Sequence, residues 1–173
     1  MKTVVVAFTA TLLWLAAPFA GAQSAPDDAQ IAGIVVAANQ VDIDAGKLAE
    51  RSGSSKDVKD FAKMMVASHT QVNKQAGELV KKLKVKPADS DTSKSLKEGG
   101  EANVDKLKKL KGKEFDKAYI DNEVTYHQTV IDTVDKSLIP NAKNPELKNM
   151  LVNTRPTFVA HLEQAKKIQS AMK

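Results

Sequence analysis

Between Phe115 and Leu138 the apolar residues Tyr119, Ile120, Val124, Val130, Ile131 and Val134 recur three and four positions apart. Only an α-helix turns that period into one continuous face. Glu123 and His127 lie inside the same stripe. A carboxylate and an imidazole are therefore aimed at a core, where unpaired polar groups are costly, so they must satisfy each other or hold something in common. The two other histidines, His69 and His161, each fall on the apolar face of a helix of their own.

The remaining chain reads as helices arranged around this one. Ile31, Ile34, Val35, Ala38, Val41, Ala45 and Leu48 make a first stripe ending near Gly53. At 100° per residue, Asp42 and Asp44 fall on its opposite shoulders, Asp44 beside Ala37 and Leu48, and either could reach inward. Ser54-Ser55 can cap a second helix, whose face runs from Val58 through Phe61, Met65, His69 and Val72 to Leu83. Met65, one turn before His69, adds a thioether that could serve copper, although methionine is more often core filling.

Residues 86–93 form a polar loop with Pro87. A third helical piece follows from about Lys94 to Lys111, weakened by Gly99-Gly100 and rich in lysine. Gly112 separates it from the central helix, which stops around Ile139-Pro140-Asn141. Asn144-Pro145-Glu146 opens a last helix with a face from Leu147 through Phe158 and His161 to Ile168, and Pro156 is expected to interrupt and kink it.

Four long amphipathic helices, with short links at each end and a helical connection between the second and third, predict an all-α fold. The architecture expected is a four-helix bundle with a helical crossover between helices two and three, the arrangement of ferritin-like folds. Folding the hairpins closed sets His161 level with Glu123, with His127 one turn away, and His69 within about a turn of Asp44. One depth of the bundle can then gather His69, His127, His161, Glu123 and Asp44. Such a set suits one transition metal ion: copper, zinc or iron.

Composition bounds the rest. Lys2, the apolar run Val4 to Ala17, Pro18 and the small residues Ala20-Gly21-Ala22 have the layout of a secretory signal cleaved before Gln23. Residues 1–22 are thus expected to be a signal peptide, and 23–173 one exported, periplasmic domain. No cysteine occurs, so there is no thiolate ligand and no disulfide. The formal charge of +5 is modest, and the lysine clusters at 81–86 and 106–113 lack the interleaved aromatics of a nucleic-acid platform. No nucleic acid is expected. The same lysines could make weak contact with an anionic membrane surface, although a solvated face explains them equally.

Several stretches also resemble a known family. Gly46-Lys47-Leu48-Ala49, Val58-Lys59-Asp60-Phe61-Ala62 with Met65-Val66-Ala67-Ser68-His69, Phe115-Asp116-Lys117-Ala118-Tyr119 leading to His127, and Glu146-Leu147-Lys148 leading to Pro156 and His161 are similar to a secreted bacterial family. It is described as a domain of unknown function, sometimes labelled predicted outer membrane protein, with a ferritin-like fold. The resemblance implies secretion, position at the cell envelope and that fold, and no established reaction. All three histidines stand where that family's motifs carry one, whereas Ser68 and Tyr126 replace acids.

Two classes of function remain. In one, the inward histidines and acids bind a metal. In the other, the protein is a structural, stress-response or interaction protein of the envelope whose buried histidines serve the fold or sense pH. Enzymatic function is less favoured: a di-iron carboxylate bundle wants Glu-x-x-His pairs, and the nearest match is Glu123-x-x-x-His127. A hydrolase would need a nucleophile motif that the chain lacks.

Overall fold

The computed structural model describes residues 25–172; the proposed signal segment 1–22 lies outside them. Among the described residues the fold is all-α, with no strand. The helices are α1 (Asp28–Ser52), α2 (Lys56–Leu83), α3 (Asp91–Leu107), α4 (Gly112–Thr133), α5 (Ile139–Asn141) and α6 (Pro145–Ala171), and a π-helical turn, Val134–Leu138, joins α4 to α5. The four long helices close into a ring, with α1 along α2, α2 on α6, α6 on α4 and α4 on α1, while α3 crosses outside against α1 and touches α4. Among the described residues no helix is long and apolar enough to cross a membrane.

Local chemistry sets the ends of these helices. Asp27 and Gln30 form a reciprocal capping box at α1, Ser55 accepts from the Val58 N–H to open α2, and Asn144 accepts from the Glu146 and Leu147 N–H groups ahead of Pro145. Ser90 and Ser93 form a second capping box, so the crossover helix starts at Asp91, earlier than its apolar pattern indicates. Gly99 and Gly100 do not break it. A Cβ on Gly100 would stand 2.6 Å from Val41 Cγ2, so the glycine is what lets α3 lie directly on α1. Gly33 does the same for the loop before α3: its Cα faces the Ala88 carbonyl, where a Cβ would come within 2.0 Å of the oxygen.

Two carboxylates fasten the hairpin turns. Asp116, on α4, accepts from the Ser54 N–H (2.8 Å), the Ser54 hydroxyl (2.6 Å) and the Ser55 N–H (2.8 Å), tying the α1–α2 turn to the start of α4. At the opposite end Asp28 accepts from the Lys143 and Asn144 N–H groups at 2.8 and 3.0 Å, tying the α5–α6 turn to the start of α1.

Pro156 does not interrupt α6, which runs through it. Pro156 and Val152 are both exposed, so the carbonyl that loses its N–H partner lies on the outer side of the helix, where water can replace the bond. The end expected around Ile139-Pro140-Asn141 is where the helix stops: a π turn, closed by the Ile139 N–H on the Val134 carbonyl, precedes Pro140, and the last helical residue is Asn141.

The apolar interior is divided in two. One cluster gathers Ile31, Val35, Val72, Ile131, Leu138 and Leu162, and the other Ala49, Phe61, Met65, Phe115, Tyr119 and Ile168. Met65 is fully buried in the second cluster. Between the two lies a layer of buried polar residues.

Candidate metal centre

Each wall of the ring contributes to that layer: Asn39 and Asp42 from α1, His69 from α2, Glu123 and His127 from α4, and His161 from α6. All are buried, none more than 4 % exposed. The three imidazoles form a nearly equilateral triangle, with ring centroids 5.2 Å (His69–His161), 5.3 Å (His127–His161) and 5.5 Å (His69–His127) apart. Phe158 stacks on the His69 ring with its plane within 7°. Two groups can each bring one ligand atom per residue within 4.8 Å of the others: His69, His127 and His161, and Asp42, Glu123 and His127. His127 belongs to both.

Hydrogen bonds orient the rings. The Asn39 amide donates to the Val35 carbonyl at 2.9 Å, which leaves its side-chain oxygen to face His69 Nδ1 at 2.6 Å. The oxygen can only accept, so Nδ1 carries the proton and the Nε2 lone pair is free. His127 Nδ1 likewise lies 3.1 Å from the Glu123 backbone carbonyl, so it donates there and its Nε2 bears a lone pair. Both lone pairs face one atom: Asp42 Oδ2, 3.2 Å from His69 Nε2 and 3.5 Å from His127 Nε2. None of these three atoms has a hydrogen-bond partner of acceptable geometry, and His161 Nδ1 is also buried and unpartnered.

Acceptors facing acceptors repel unless a metal ion, or a proton on Asp42, stands between them. Two ligands about 2.05 Å from one ion at the tetrahedral angle would be about 3.3 Å apart, close to the two distances observed. An imidazole that donates its outer N–H to an amide or backbone oxygen is also the usual support of a metal-binding histidine. The donor set, nitrogen-rich with carboxylate, fits zinc, copper or iron.

Burial in the layer opposes charge on Asp42, Glu123, His69 and His161. Burial is the main cause in every case: it raises the Asp42 carboxyl well above the usual range, with Glu123 adding to the rise and His127 opposing it. It raises Glu123 to about 8, against a lowering by Tyr119, whose hydroxyl faces the carboxylate without an ordinary hydrogen bond. It lowers His69, with His127 and His161 adding to the effect, and it lowers His161 to about 4, helped by His127. A bound cation would reverse the balance for the acids, because ligands must give up their protons to bind it.

Of the residues expected from the sequence, the fold brings His69, His127, His161 and Glu123 together. Asp44 is a correction. It is exposed, accepts from the Gln40 side chain at 2.9 Å, and does not reach the layer. Its place is taken by Asp42, which stacks with Val35, Asn39 and Ala49 on the inward side of α1, while Val36, Gln40, Asp44 and Lys47 make the outward stripe. Glu123 Oε2 lies 3.4 Å from His127 Nδ1, on the side of the ring away from Asp42 Oδ2. Asn39 went unnoticed in the sequence. Its signal was a polar residue three positions before Asp42 on an otherwise apolar stripe.

No curated protein and no solved structure matches the chain. The family model described as Domain of unknown function (DUF4142) matches residues 15–168. With nearly the whole length covered, the chain belongs to the DUF4142 family.

Proposed function

We propose that this chain is an exported, periplasmic metal-binding protein that holds one transition metal ion in the middle of its helical bundle. The observation that carries the reading is the pair of imidazole lone pairs turned on the unpartnered Asp42 carboxylate at 3.2 and 3.5 Å. His69, His127 and Asp42 supply the first donors, and His161 completes a nitrogen-rich set. Glu123 either joins the ion or steadies His127 from behind. Export rests on the signal-like layout of residues 1–22. The role is binding, storage or delivery of the ion rather than catalysis.

A second reading is favoured by the raised Asp42 carboxyl. Protonated, it could donate to one of the two imidazoles and leave a purely structural polar layer. Elemental analysis of untagged protein from the periplasm, followed by titration of copper, zinc and iron into metal-free protein during thermal unfolding, separates the two. Under the metal reading one ion per chain raises the melting temperature of the parent, and His69→Ala, His127→Ala and His161→Ala each abolish most of that rise. Equal shifts in parent and variants, or no shift in any, would establish the structural reading.

A further inference from the structure

A cavity of about 360 Å³ opens beside the polar layer. Its walls come from α1, α2, α3, α4, the π turn and α6, and most are apolar: Ile34, Val72, Leu96, Val130, Leu151 and Phe158 among them. At one end it reaches His69 and His127. The size lies within the range of small-molecule sites and is over twice the roughly 150 Å³ of an apolar cavity known to hold benzene. No Lys, Arg, Asp or Glu is among its lining residues, so it offers no side-chain counter-charge to an ionised ligand.

Three hydroxyls on its α4 wall narrow the chemistry further. Tyr126 donates to the Ala38 carbonyl at 2.8 Å, Thr129 to the Thr125 carbonyl at 2.9 Å and Thr133 to the Thr129 carbonyl at 2.8 Å. All three line the cavity along α4 with their protons committed to the backbone, so they present only acceptor lone pairs. Asn39 spends one amide N–H on the Val35 carbonyl and its oxygen on His69, which leaves its second N–H as a donor where it lines the cavity. An apolar lining without acidic or basic side chains, with spare acceptors along α4, matches a molecule with an apolar body and a hydrogen-bond donor.

We propose that this cavity is a binding site for an uncharged amphiphile, a hydrocarbon body of about ten carbons ending in a hydroxyl, the ligand class that its volume, its apolar lining and the acceptor hydroxyls of α4 select. The apolar body occupies the space between Val72, Leu96 and Leu151, and the hydroxyl donates to Tyr126, Thr129 or Thr133. This site does not depend on the metal reading, because recognition comes from the apolar walls and the α4 hydroxyls.

The test compares 1-decanol, 1-methoxynonane and decanoate, which are similar in length but differ in donor and charge, on the full mature protein with a chelator present. Thermal shift and isothermal titration should show saturable 1-decanol binding. The ether and the carboxylate should bind about 10-fold or more weakly, the first through the loss of one hydrogen bond and the second because no cationic side chain lines the cavity to pair with it. Leu96→Trp, which fills the cavity from α3, should abolish 1-decanol binding. Thr129→Val with Thr133→Val should bring the alcohol down toward the ether. Nuclear Overhauser contacts from the decanol chain to Val72 and Leu151 methyls in the parent read the location independently of any variant's folding. Equal binding of alcohol and ether, decanoate binding as tight as decanol, contacts confined to other residues, or binding that appears only with metal would each overturn the proposal.

Discussion

The side chain that decides the centre's chemistry is Asn39, which is not a ligand candidate. By spending its N–H on Val35 it can only accept from His69 Nδ1, and so it determines which His69 nitrogen faces Asp42. Asn39→Ala should therefore lower metal affinity about 10- to 100-fold, the usual cost of losing the support of a ligating histidine, while the three histidines remain in place. Competition with a chromogenic chelator measures it. Asp42→Asn should weaken binding at least as much, whereas Asp44→Asn should leave affinity within error of the parent, since Asp44 faces solvent and Gln40. Loss of affinity in Asp44→Asn equal to that in Asp42→Asn would mean that α1 is rotated in solution.

At the scale of the helices, the adjacent glycines of α3 give opposite expectations. Gly99 has nothing within 4 Å of a Cβ, so Gly99→Ala should stabilise by about 1 kcal/mol through helix propensity. Gly100→Ala gains the same propensity but drives its methyl into Val41, so a net loss of about 1–2 kcal/mol is expected as α3 lifts from α1. Urea unfolding of the two variants reads the difference in sign. The π turn offers a pH test. The hydrogen bond from Arg155 to Asp135, at 2.6 Å, is the main reason that the Asp135 carboxyl is held below its ordinary 3.8. A carboxyl depressed in the folded state stabilises above its unfolded value and loses that contribution as pH falls through the folded one. The melting-temperature gap between the parent and Asp135→Asn should be full at neutral pH and close progressively below 3.8. Because both side chains are over a third exposed, the gap should be small and should shrink with salt.

For the whole molecule, the polar layer joins two apolar clusters that lie on either side of it. An ion bound to residues from α1, α2, α4 and α6 would tie all four helices together at their middle. At a free metal concentration 100 times the dissociation constant, such a ligand stabilises the fold by about 2.7 kcal/mol. For a domain of this length, that corresponds to a rise of about 5–10 °C in melting temperature. Differential scanning calorimetry should show the rise without splitting the transition. Separate unfolding of the two clusters would contradict a shared central layer.

Much of this was written in local pattern. The helical period, the capping residues Ser55 and Asn144, and the inward placement of His69, Glu123, His127 and His161 follow from residues near in sequence, because helix geometry alone decides which side chains share a face. Asp42 and Asp44 could not be separated that way: they sit on two shoulders of one stripe, and which shoulder is buried depends on what packs there. The start of α3 and the tolerance of Gly100 depended on a serine capping box and on the approach of Val41, a contact between residues far apart in the chain. Pro156 reads as a break until its exposed side of α6 is known. The lone pairs meeting at Asp42 and the cavity behind His69 belong to the tertiary structure alone, because each is made where residues from several helices converge and no single helix carries enough of either to show it.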